Sequence, residues 1–218
     1  MACMLLRLCA LLILAIFCTQ GAQAPLPGLR VEAIDAGSVL HVRNNGDQPL
    51  VAYLIELVGY PGSSFSLWRD EPASPILPGV EKRIQIVNMT VGAAPEYVKM
   101  QAAVYADGST SGIAEKAAQI VERRRFVLGT TRELIRRIEK ARQSDTAAPA
   151  LVTELKQWSD ALPPAGRAKR GSQEAINQTA GRELIAEVCA KAGAGTLEGV
   201  LAGLRSSETA LAGSKPTP

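Results

Sequence analysis

Near residue 113 the hydrophobic pattern changes period, and that change divides what the chain is able to build. Ile113, Ile120, Val127, Leu134 and Ala141 recur every seven residues, Ala117, Thr131 and Ile138 fill the intermediate positions, and Val121, Leu128 and Ile135 widen the stripe. Such spacing marks one face of a helix and predicts a single long amphipathic helix over about 113–142. Upstream, from Leu29 to Ser111, apolar residues alternate and turn signals return roughly every 8 to 12 residues, the rhythm of paired strands.

Strands are expected near 29–34, 38–44, 49–58, 64–69, 81–88 and 97–106, with a short last one near 109–112. Asp35-Ala36-Gly37, Asn44-Asn45-Gly46-Asp47, Pro61-Gly62, Pro78-Gly79 and Asp107-Gly108 supply turn residues that tolerate positive φ or fix a bend. One strand stands apart. Pro49 to Val58 is apolar on both alternating faces, so it requires cover on both: an opposing sheet on one side and the helical half on the other. Past the long helix, a second is expected after Asp145 or Thr146, with Pro149 in its first turn and a stop at Pro163-Pro164. A basic linker, Ala165 to Gly171, leads to a third helix over about 172–192. A fourth runs from Thr196 towards Leu211, before a tail expected to be disordered.

The string from Val42 to Tyr53, with its Asn-rich turn followed by Pro49 and an apolar strand, belongs with Pro78-Gly79 and Val104-Tyr105-Ala106-Asp107-Gly108-Ser109. Together they resemble the immunoglobulin-like region of exported bacterial proteins of unknown function. The resemblance covers about 80 residues and consists mainly of turns; it implies a sandwich fold and export and supplies no catalytic residue. The expected fold class is therefore α+β: an immunoglobulin-like β-sandwich over 25–112 followed by an α-helical C-terminal region over 113–218.

Residues 1–24 read as a secretory signal peptide: a basic start, an uncharged apolar run from Leu8 to Cys18, and Ala22-Gln23-Ala24 as an A-x-A cleavage pattern. An uncleaved anchor stays open as the alternative, because Pro25 is a poor residue after a cut. Eleven apolar residues reach only about half of a hydrocarbon core, so no transmembrane span is expected once the segment is removed. Cys3, Cys9 and Cys18 leave with it, and Cys189 alone cannot form an internal disulfide. Flanked by Ile185 and Ala192 at helical spacing, Cys189 is expected to be a small buried hydrophobe.

Composition narrows the chemistry. The 218-residue chain holds one histidine, and aromatics make up 4%. His41 alternates with Leu40 and Val42, so it is expected to face water beside Arg43, with no nucleophile motif to serve. One His and one Cys in different halves do not make a zinc site, and no phosphate-binding glycine motif is present, so no cofactor or metal is expected. Asp70, Glu71 and Asp107 are the carboxylates that a secreted hydrolase would use, and that is the alternative function.

Charge is more informative. Residues 25–112 hold six Lys and Arg against nine Asp and Glu, a balance of −3, whereas residues 113–218 hold seventeen against twelve, a balance of +5. The long helix carries the surplus, and Arg123, Arg124, Arg125, Arg136 and Arg137 are its candidate interaction surface for an envelope protein or an anionic surface. A competing reading pairs these arginines with glutamates along the helix and lets Arg124, inside the apolar stripe, reach a carboxylate. Nucleic acid is a poor fit, because base-stacking aromatics are scarce in this half. The function expected is an exported, non-catalytic binding or structural module of the cell envelope.

Overall fold

The computed structural model describes residues 24–34, 37–60, 63–87, 97–144, 147–163, 169 and 171–216. The expected leader, the turns at 35–36 and 61–62, and most of the linker 165–171 lie outside these residues. The chain is mixed α+β, with strands first and helices after.

β1 (Gly28–Ile34), β2 (Gly37–Arg43) and β5 (Glu81–Val87) form a three-stranded antiparallel sheet with β2 in the middle. β3 (Leu50–Tyr60), β4 (Ser63–Asp70), β6 (Tyr97–Tyr105) and β7 (Thr110–Gly112) form a four-stranded sheet in the order β4-β3-β6-β7. Leu40, Val42 and Ile84 from the first sheet and Tyr53, Ile55, Met100 and Tyr105 from the second share one apolar core.

The other face of β3 is apolar as well, and here the helical half meets the sheet. Val51, Ala52, Leu54, Ala102 and Val104 pack under Ala117 and Ile120 of α1 (Ala114–Gln143), with Trp68 at the edge. Alanines on both sides let the helix lie close to the strands. β3 is thus covered on both faces, as its sequence requires.

The joint between sheet and helix depends on one glycine. Gly112 ends β7 at φ +87, and a Cβ there would lie 2.3 Å from the Gln101 carbonyl oxygen, so only glycine can bring the chain this close to β6 as it turns into α1. α1 is thirty residues long, about 45 Å, and it outruns the sheet. Its second half packs against α2 (Ala148–Ala161), α3 (Gln173–Ala194) and α4 (Leu197–Ala212) around Leu134, Ile138, Leu151, Leu155, Ile185 and Leu201. Pro149 sits in the first turn of α2, and Ser172 and Thr196 cap α3 and α4 with their side chains. No described helix is long and apolar enough to cross a membrane.

The expectation of a disordered tail is corrected for Ser214–Pro216. These residues return to the sheet end of the molecule: Ser214 and Lys215 bond to α1, and Lys215 lies beside Gly108 in the β6–β7 turn.

Candidate functional site

The five arginines singled out on α1 fall into three environments. Arg124 is 0% exposed and is removed from any docking surface. Its Nε and Nη2 donate to the two oxygens of Asp70, the last residue of β4, at 3.0 and 2.7 Å. Its Nη1 donates to Ser214 Oγ at 3.2 Å and to the Lys215 carbonyl at 3.1 Å. Because the apolar stripe of α1 faces the sheet here, an arginine within the stripe is buried, and it takes the nearest strand-end carboxylate with it. The competing sequence reading therefore holds for Arg124.

Arg123 and Arg137 are half-buried. Burial pushes the Arg123 guanidinium down in pKa, nearby Asp70 and Glu183 oppose that, and Arg69 adds to it. Arg137 ties α1 to α2: Nε donates to Glu133 at 2.6 Å, Nη1 donates to Glu154 at 2.7 Å, and the guanidinium lies 4.6 Å from the Trp158 ring centroid.

Arg125 and Arg136 are exposed. They stand eleven residues apart, almost exactly three turns, on one line of the helix that also carries Arg132 and Lys140, both exposed. Arg125 bonds to Glu122, Arg132 Nε to Glu208 at 2.8 Å, and Arg136 to both oxygens of Glu133 at 2.6 and 2.8 Å. The Arg136 hydrogen bond, seconded by Arg137, holds the Glu133 carboxyl below its ordinary range. Lys140 has no ion pair among the described residues. The outer cation stripe is thus Arg125, Arg132, Arg136 and Lys140. Arg132 and Lys140 are not among the five expected residues, although their spacing opposite the apolar stripe marks them as outward-facing.

His41 also departs from expectation. It is 4% exposed, although it sits on the outer face of the three-stranded sheet. Nδ1 is 2.7 Å from Glu81 Oε1 and Nε2 is 2.8 Å from Glu32 Oε2, and Arg30 Nη2 approaches Nδ1 at 2.9 Å. Register explains this arrangement: Arg30 and Arg83 flank His41 directly on β1 and β5, and one step along the face come Glu32 and Glu81, so long side chains from both neighbours close over the ring. The hydrogen bonds from His41 are the main reason both glutamates titrate below their ordinary range.

The carboxylates considered for hydrolysis are each engaged separately. Asp70 holds Arg124, Glu71 bonds to Lys82, and Asp107 accepts from the Ser109 amide and hydroxyl at 2.9 and 2.7 Å within its own turn. Cys189 is buried on the wall of a cavity of about 420 Å³ between α2 and α3, shared with Val152, Lys156, Asp160 and Ile185; burial pushes its thiol up in pKa. Among the described residues no group of three or more His, Cys, Asp or Glu side chains is placed to hold a metal ion. No family model matches the chain, and neither a curated protein nor a solved structure is significantly similar to it.

Proposed function

We propose that the chain is an exported, non-catalytic binding or structural module of the cell envelope, in which an immunoglobulin-like β-sandwich carries a helical region that meets an anionic surface or protein. The observation that carries this reading is the outer stripe of α1, with Arg125, Arg132, Arg136 and Lys140 in one exposed line on a region of charge +5. Their glutamate partners do not disqualify them. Exposed ion pairs contribute only about 0–1 kcal/mol, so an incoming anion exchanges with a glutamate at little cost while the surplus charge remains. Seven strands divided three and four around a shared core support the sandwich reading.

The test replaces all four cations with glutamate and compares parent and variant, checked for equal helicity and unfolding midpoint, for sedimentation with vesicles containing anionic lipid and with the native envelope fraction. The parent should sediment at low salt and be released as salt rises, and the variant should lose at least about tenfold in affinity. Equal recovery of the two proteins would sink the reading.

A further inference from the structure

We propose that the free edge of β4 pairs with the β4 edge of a second copy of this chain, joining the two four-stranded sheets into one. Among the described residues, β4 pairs only with β3, and nothing bonds its outer side. An open edge is a template for further strands, and proteins that leave edges unused protect them with charges, prolines or shortness.

The other edges here carry that protection. β1 has Arg30 and Glu32, β5 has Glu81, Lys82 and Arg83, and β7 is three residues long and leads straight into α1. β4 has none of it over Ser63 to Trp68, six residues without a charge or a proline. Phe65, on this edge, is 47% exposed, although it opposes Leu57 on the face of the sheet that forms the core.

The occupant follows from the symmetry of the segment. Two β4 strands related by a two-fold axis normal to the sheet pair antiparallel, and opposed residues share a face. Centred on Ser66, this pairing sets Phe65 of each copy against Leu67 of the other, so the exposed ring gains an apolar neighbour. The two copies of Arg69 fall at opposite ends of the junction, about 20 Å apart along the strands, so like charges do not meet. Asp70 is taken by Arg124 and adds no repulsion. A junction made by one strand from each copy lies at the small end of specific interfaces, so a dissociation constant of about 1–100 µM is expected.

The test is sedimentation velocity on the purified protein from about 1 to 100 µM, with a Ser66→Lys variant beside the parent. Ser66 is exposed, so the substitution leaves the fold intact but sets lysine against lysine on the axis. A reversible dimer weakened at least about tenfold by Ser66→Lys supports the proposal. A second readout uses Ser66→Cys with every native cysteine replaced: a short bis-maleimide should link two copies at 66, whereas Ser206→Cys on exposed α4 should not link. A parent that stays monomeric throughout, including one whose edge takes up a strand from a different protein, overturns the proposal. So does a dimer indifferent to Ser66→Lys that fails to link at residue 66.

Discussion

β2 and β3 are interior strands of the two sheets, and both are buried on two faces, yet their outer faces are covered by different means. β3 presents Ala52 and Leu54 and receives α1. Among the described residues, β2 presents His41 and receives the side chains of its own neighbours, Arg30, Glu32, Glu81 and Arg83, which lean across the sheet and remain largely exposed themselves. His41 is therefore buried by side chains of its own sheet. Long ionic side chains on flanking strands suffice where the central residue is able to donate to them, and a strand apolar on both faces needs the layer.

The comparison predicts that damage to the cover of β3 is expensive and damage to the cover of β2 is mild and pH-linked. The largest effect should come from Asp70→Ala, which leaves Arg124 buried without its carboxylate; the expected loss is about 3–5 kcal/mol in urea unfolding. Replacing both partners, as Asp70→Leu with Arg124→Met, should recover most of that loss, and a double variant as unstable as the single one would show that the tie matters through the Ser214 and Lys215 bonds instead. Next in size is Ile120→Ala, which opens a cavity between α1 and the sheet and should cost about 2–4 kcal/mol by the same measurement.

The smallest effect is expected at His41→Leu, and it should depend on pH. Glu32 and Glu81 have native pKa values lowered from 4.5 by the hydrogen bonds from His41, so their contribution to stability is fully present above that unfolded value and is lost as pH falls through the depressed native values. Without His41 the largest cause of the lowering is gone and the native values move back towards the unfolded one, while the neighbouring arginines remain. The variant's stability should then fall less steeply than the parent's between about pH 5 and pH 3, followed by urea midpoints across that window. Parallel acid limbs would mean that the arginines alone hold the two glutamates.

Much of this architecture was legible in the sequence, for a physical reason. Period reports which faces are buried, so the stretch from Pro49 to Val58, apolar on both faces apart from Glu56, announced two covers, and the seven-residue recurrence from Ile113 announced the helix that provides one of them. Arg124 was legible only in part: its place in the stripe allowed a packed stem and a carboxylate partner, yet its charge also placed it among the arginines of the interaction surface, from which burial removes it. His41 was not. Its cover comes from Glu32 and Glu81, nine and forty residues away, and only the register of β1 and β5 on β2 brings them together. Ser214 and Lys215 were missed for a similar reason: a short polar segment after a helix has no period, and the groups that hold it lie ninety residues upstream.

That last contact sets an order of events during synthesis. Arg124 belongs to the first of the described helices, but two of its acceptors belong to residues added ninety and ninety-one positions later. While the chain is still emerging, the guanidinium has Asp70 and water, and the crossing of α1 over the sheet is left open at one corner. It closes when Ser214 and Lys215 arrive. The junction between the two halves therefore cannot be completed before these residues are made, and a chain ending at Ala212 would carry all eleven described strands and helices without the Ser214 and Lys215 bonds.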